Sequence, residues 1–288
     1  MMQIAHYRNL ITQQLLDAEL LSSNSTETRA AACVRLDAEL LLTHVLNISR
    51  TQLLISFDKE LSSESEIILN NLTKRRMNGE PIAYILGHQP FWTMDLVVTP
   101  DTLIPRPETE CLIDYIIQYS HSDALHVADL GTGSGAIAIA LALEKPNWKI
   151  DATDQSLHAL KIAKKNAEKY TVKNINFYQG DWCAALPNKK YDMIISNPPY
   201  IAENDVHLSA LKFEPKSALT SGKTGLDDIE KIVMQAKNYL NSDGILIIEH
   251  GFNQANSVFN IFKKNNFYHI ENHRDLSGNF RYVTGSSL

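Results

Sequence analysis

The sequence predicts an α/β protein with a doubly wound sheet, preceded by a small helical bundle and a β-hairpin linker. Three observations lead there. From Ala124 onward, apolar runs of strand length alternate with helical ones. The first of those strands runs into a glycine-rich turn, Gly131-Thr132-Gly133-Ser134-Gly135. Before them, residues 1–78 contain neither glycine nor proline and repeat apolar side chains at intervals of three and four.

Length and composition bound the possibilities. A chain of 288 residues, with 44% hydrophobic and 21% charged residues, has enough apolar surface for one large or two medium domains. Its net charge of −6 argues against a broad footprint for nucleic acid or anionic membrane. Cys33, Cys111 and Cys183 are odd in number, far apart and without metal-ligand spacing, which fits free thiols in a reducing compartment and no bound metal. The first residues lack the layout of a secretory signal, and no run of 18 apolar residues occurs, so a cytoplasmic protein is expected.

In chain order, the helical pattern places Leu10, Ile11, Leu15 and Leu16, then Leu36, Leu40, Leu41 and Val45, on buried faces. Ser63 and Glu66 have the spacing of a capping box and predict a last helix running to Lys74-Arg75-Arg76. Residues 79–107 are punctuated by prolines and glycines and predict a hairpin with strands near Phe91-Trp92 and Leu96-Val97-Val98. Pro107 suits the first turn of a helix to Tyr119, and Glu108 and Glu110 suit its positive end. A capped helix start accounts for the prolines and the carboxylates but leaves Arg106, between two prolines, unexplained, and its segment is a candidate lining of the cofactor or substrate site.

The α/β domain is expected over residues 108–288. Leu125 to Leu130 is its first strand, and Ala136 to Glu144 the helix after it. Asp129 and the glycine-rich turn between them form a nucleotide-binding corner, where glycines admit a close ligand and the helix N-terminus stabilises negative charge. The G-x-G-x-G spacing suits a compact ligand joining an amino acid to a nucleoside better than a dinucleotide pyrophosphate. Asp154 closes the second strand, twenty-one residues after Gly133, where a carboxylate can accept both ribose hydroxyls. After the third strand, Ile175 to Gln179, Asp181 can accept from an exocyclic amine, and Trp182 either stacks on a purine or packs in the core.

The fourth strand, Tyr191 to Ser196, ends in Asn197-Pro198-Pro199-Tyr200. Two consecutive prolines fix the backbone and remove two donors, so the carbonyls of Asn197 and Pro198 lack ladder partners. This acceptor-rich edge suits a planar NH2 group, which would donate to the Asn197 side-chain oxygen and the Pro198 carbonyl beneath the Tyr200 ring. Asp154, Asp181 and Asn197 all end strands, and so gather on the rim where open α/β sheets bind ligands. His250, at the end of a later strand before Gly251, could face the cleft, but a structural role is favoured because no general base is required.

These residues resemble known motifs. Asp129 to Gly135, Asp154 and Asn197 to Tyr200 look like those of class I S-adenosylmethionine-dependent methyltransferases acting on amino groups. Pro81 to Gly87, Pro105 to Glu110, Asn197 to Tyr200 and Glu214-Pro215 leading to Gly225-Leu226-Asp227 resemble the bacterial peptide chain release factor N5-glutamine methyltransferases over essentially the whole chain. The resemblance implies a seven-stranded sheet with its last strand antiparallel. It implies transfer of a methyl group from S-adenosylmethionine to the glutamine amide of the Gly-Gly-Gln loop of class I release factors. Gly131, Thr132, Gly133, Ser134, Gly135, Asp154, Asp181, Trp182 and Asn197 would bind the cofactor, and Asn197, Pro198, Pro199 and Tyr200 would serve the transfer. Residues 1–78 would dock the protein substrate, and the enzyme is expected to be a monomer. Ser134 stands where threonine is frequent, and Lys216-Ser217 where the family is often apolar. The competing expectation is an adenine N6-methyltransferase of DNA or RNA, since a flipped adenine presents the same NH2. The absence of a long target-recognition domain and of basic excess weighs against it.

Overall fold

The computed structural model describes residues 3–22, 27–120 and 122–288, and the chain divides into two compact units, Met1–Gly87 and His88–Leu288. The first unit consists of α1 (Ile4–Ser22), α2 (Glu27–Leu46), α3 (Arg50–Leu54), α4 (Ser63–Met77) and α5 (Ile82–Leu86). Its core gathers Ile4, Tyr7, Ile11 and Leu15 of α1, Ala38, Leu41 and Leu42 of α2, and Leu53, Leu61, Leu69 and Ile85. Leu10 and Leu36, expected on the buried face, are exposed, because each lies about 100° around its helix from the neighbour that is buried.

The expected capping box at Ser63 and Glu66 does not form. Ser63 is already helical, and the cap is Ser62, whose hydroxyl accepts from the Ser65 N–H. A full capping box closes α3 instead, between Ser49 and Gln52. At the basic end of α4, Arg75 pairs with Glu80 and Arg76 with Asp37.

The second unit opens with an antiparallel hairpin, β1 (His88–Phe91) and β2 (Met94–Val97). Trp92, expected in a strand, lies in the turn at φ +54°. The hairpin packs within this unit, held by a buried amide. Asn166 accepts from the Val97 N–H through Oδ1 and donates through Nδ2 to the carbonyls of Val97 and Ser134.

Beyond it run α6 (Pro107–Tyr119), β3 (His126–Leu130), α7 (Ala136–Glu144), β4 (Lys149–Asp154), α8 (Leu157–Lys169), β5 (Ile175–Gln179) and β6 (Tyr191–Ser196). They are followed by α9 (Asp227–Ala236), β7 (Leu240–Glu249), α10 (Ala255–Lys264), β8 (Tyr268–Arg274) and β9 (Phe280–Ser286). The seven strands lie in the order β5-β4-β3-β6-β7-β9-β8, parallel except that β9 runs against both its neighbours, as the resemblance implied. Apolar runs such as Ile194-Ile195 and Leu246-Ile247-Ile248 are fully buried because helices cover both faces of the sheet. The order reverses beside β3, so the C-terminal ends of β3, β4 and β6 open onto one crevice.

All three cysteines are free. Cys33 of α2 is exposed. Burial pushes the thiols of Cys111 and Cys183 up to about 12. No helix among the described residues is long and apolar enough to cross a membrane.

Candidate active site

A strand that turns sharply into a helix needs backbone angles that side chains resist. After β3, Gly131, Gly133 and Gly135 supply them at φ +72°, +56° and +85°. They do different things. A Cβ on Gly131 would stand 2.8 Å from the Trp182 ring, so glycine there lets the indole lie against the backbone. One on Gly135 would strike Ile139 of α7, so that glycine serves helix packing. Gly131 and Gly133 line an open cleft together with Asp154, Trp182 and Asn197. Thr132 and Ser134 are buried in the turn. The Thr132 hydroxyl donates to Asp129 at 2.6 Å, and the Ser134 carbonyl accepts from Asn166. Burial raises the Asp129 carboxyl to about 6.

Asp154 faces the same cleft from the end of β4. The N–H groups of Gly133 and Ser156 donate to its two oxygens at 3.0 and 2.8 Å. Burial raises its pKa, and these two bonds oppose the rise. Each oxygen keeps a lone pair for a further donor, which is what a ribose diol requires. Trp182 combines its two expected roles: its ring lines the cleft and also packs on the core beside Leu130. Its indole N–H donates to Asp228 at 3.1 Å, which fixes the ring plane. Asp181 lines the mouth, half-exposed and paired with Lys231 at 2.6 Å.

Asn197 stands where this cleft meets a second pocket of about 630 Å³, lined by Leu103, Arg106, Pro198, Tyr200, Ile201 and Leu211 among others. The four residues of the loop divide between the two: Pro199 lines the cleft, Pro198 and Tyr200 the pocket, and Asn197 both. The Asn197 Nδ2 donates to Thr109 Oγ1 at 3.2 Å, while its Oδ1, buried, has no partner among the described residues. A buried amide oxygen without a partner costs about 1–3 kcal/mol, so an incoming donor gains that much at this point.

Arg106 is a lining of the pocket, and it forms an ion pair with Glu214. Glu214 also accepts from the Ile104 N–H at 3.1 Å. The pair thereby ties the segment before α6 to the segment at Pro215, both of which border the cleft.

Sequence reasoning passed over Glu249 and Thr109. Glu249 ends β7 and is 1% exposed, and its Oε2 has no hydrogen-bond partner among the described residues. Burial pushes its carboxyl up to about 7. The available signal was positional, since β7 neighbours β6 and its last residue reaches the same rim. His250 beside it is fully buried, and its Nδ1 lies 2.8 Å from the Gly251 carbonyl. Burial lowers its pKa, and it lines neither cavity.

Comparison with known proteins gives two family matches: the PrmC N-terminal domain over residues 11–87 and the methyltransferase small domain over residues 109–271. The release factor glutamine methyltransferase of Coxiella burnetii is 49% identical over 252 residues, 87% of this chain and 91% of its own. That of Escherichia coli is 41% identical over 262 residues, 90% of this chain and 95% of its own. Among solved structures, a methyltransferase from Pyrococcus furiosus aligns with 76% of this chain and 100% of its own at a TM-score of 0.54 and 18% identity. The 16S rRNA N2 G1207 methyltransferase of T. thermophilus, in complex with AdoMet and guanosine, aligns with 70% of this chain and 50% of its own at 0.52 and 14% identity. At these identities the two structures speak for the fold alone.

Proposed function

Since the chain belongs to the release factor glutamine methyltransferase family, we propose that it transfers a methyl group from S-adenosylmethionine to the glutamine of the Gly-Gly-Gln motif in class I peptide chain release factors. The product is N5-methylglutamine, and the reaction serves translation termination. The observation that carries the reading is the buried, unpartnered Asn197 Oδ1, on a residue at the junction of two cavities, an acceptor that a donor NH2 would satisfy.

The chemistry of the cleft fits S-adenosylmethionine. Gly131 and Gly133 leave backbone open to a close ligand, Asp154 keeps acceptor capacity for a ribose, and Trp182 offers a flat apolar face for a purine. When bound, that cofactor supplies an electrophilic methyl group on a sulfonium.

The protein's own task is orientation. An amide nitrogen is a poor nucleophile because its lone pair is delocalised. Asn197 Oδ1 and the Pro198 carbonyl would accept its two hydrogens and hold the nitrogen in line for attack. Alignment of this kind contributes several kcal/mol, up to roughly 7–11 in the best cases. Tyr200, Ile201 and Leu211 give the acceptor pocket apolar walls. Once methylated, the nitrogen would carry one proton too many, and that proton would pass to solvent.

The unit Met1–Gly87 provides the docking surface for the release factor. The enzyme acts as a cytoplasmic monomer on protein rather than nucleic acid, a reading supported by its net charge of −6. Intact-mass measurement of a class I release factor and of DNA, each incubated with the chain and S-adenosylmethionine, tests the function. One added methyl group on the release factor glutamine is expected. Methylated adenine with an unmodified release factor would overturn the reading.

A further inference from the structure

Two prolines stiffen the loop from Asn197 to Tyr200, so the placement of its acceptor oxygens depends on how its two ends are held. At the first end, the Ser196 hydroxyl donates to the Leu130 carbonyl of β3 at 2.7 Å. At the other, among the described residues, no backbone N–H donates to the Tyr200 carbonyl. The donor is the side chain of Gln254, the residue before α10. Its Nε2 donates to the Tyr200 carbonyl at 2.9 Å and lies 3.4 Å from the carbonyls of Thr224 and Gly225. Its Oε1 accepts from the Gly251 N–H at 2.8 Å. Only one orientation of the amide satisfies these groups. Reversed, it would set N–H against N–H at Gly251 and an oxygen against three carbonyls. The Gly225 backbone, at φ +75°, approaches the Tyr200 carbonyl so closely that a Cβ there would strike its oxygen.

We propose that Gln254 is a positioning residue for methyl transfer: by holding the Tyr200 carbonyl it fixes where the loop presents the acceptor oxygens of Asn197 and Pro198. Gln254 lines neither the cofactor cleft nor the acceptor pocket, so its effect passes through the loop. The inference rests on the reading of Asn197 given above, and the test separates the two.

Gln254→Glu in the full chain is the discriminating variant. The carboxylate keeps the length and still accepts from the Gly251 N–H, but it has no hydrogen to give and sets a negative charge against the carbonyls. That charge beside the N-terminus of α10 favours the helix, so folding loses little. The measurements are kcat and KM on an intact class I release factor, S-adenosylmethionine affinity by calorimetry, Tm by scanning, and hydrogen exchange at Ile201, whose N–H donates to the Leu219 carbonyl at 2.9 Å. A fall in kcat on the order of 10- to 100-fold is expected, the scale of a misplaced reacting group. Cofactor affinity and Tm should stay close to those of the unaltered chain, and Ile201 should exchange faster as the end of the loop is released. Gln254→Met, which loses the donor without repelling the carbonyls, should show a smaller loss of the same kind. An undiminished kcat in both variants, or a lower kcat with unchanged exchange at Ile201, would overturn the positioning role and leave the functional reading standing. So would a loss matched by equal losses of cofactor affinity or Tm, which would make Gln254 a structural support. An unaltered chain that transfers no methyl group would overturn both.

Discussion

Asn197 and Asp154 lie on opposite sides of one decision, acceptor against cofactor, and their replacements should separate it. Asn197→Ala should lower kcat by roughly 100-fold or more while S-adenosylmethionine affinity changes little, since alignment of the nitrogen is what it supplies. Asp154→Ala should weaken cofactor binding in calorimetry; an unchanged affinity there, or equal losses in Asn197→Ala, would contradict the assignment. Glu249 adds a dependence on pH. Its native pKa of about 7 lies above the ordinary carboxylate value, so between the two the folded chain holds a proton that the unfolded chain has released. Stability conferred by that proton is complete at low pH and is lost as pH rises through the native value. Asp129, raised to about 6, acts in the same direction. Tm should therefore fall between about pH 5 and about pH 8, and Glu249→Gln should remove part of the fall. Residues that end a strand beside glycine or proline were legible in the sequence, since their neighbours restrict the backbone visibly. Glu249 and Thr109 were not: nothing within their own segments says that β7 and α6 carry them to the rim of the site.

At the scale of elements, helix and strand runs follow apolar periodicity closely enough that β3 through β6 and their helices stand where the sequence reading put them. The discrepancies fall at ends, where a single hydroxyl decides. Ser62 caps α4 because its side chain reaches the Ser65 N–H before Ser63 can do so. The anchoring of the β1–β2 hairpin had no sequence signal, because Asn166 looks like one more polar residue of an amphipathic helix until its 0% exposure is seen. Its amide satisfies Val97 on both sides and the Ser134 carbonyl of the glycine-rich turn. Asn166→Leu keeps a similar volume and leaves those groups unpaired, at about 1–3 kcal/mol for each that stays buried. A lower Tm together with weaker cofactor binding is the expected outcome, since the hairpin and the turn share this one side chain. Unchanged affinity in a destabilised variant would show that the turn holds its shape without it.

At the scale of the whole molecule, every proposed cofactor residue lies in His88–Leu288, whereas Met1–Gly87 carries none. The first unit does expose apolar side chains, with Leu54, Ile55, Ile67 and Ile68 at 50%, 77%, 63% and 44%. Its basic residues Arg75 and Arg76 are already paired internally. A specific protein interface buries about 800 Å² per partner, more than one inserted loop supplies, so on the proposed docking role these apolar positions would meet the release factor. A chain beginning at His88 should bind S-adenosylmethionine and slowly methylate a short Gly-Gly-Gln peptide, yet lose most of its advantage on the intact factor. Unaltered kinetics on that factor would rule the docking role out, and a chain that fails to fold would make the unit a structural requirement. The distribution of cysteines supplies a handle on the same question. With thiols raised to about 12, Cys111 and Cys183 hold only about one thiolate in 10⁵ near neutral pH, while Cys33 is exposed on α2. A maleimide dye should therefore attach once per native chain, on the first unit, as peptide mapping would verify. Its fluorescence would then follow arrival of the release factor without disturbing a single residue of the site.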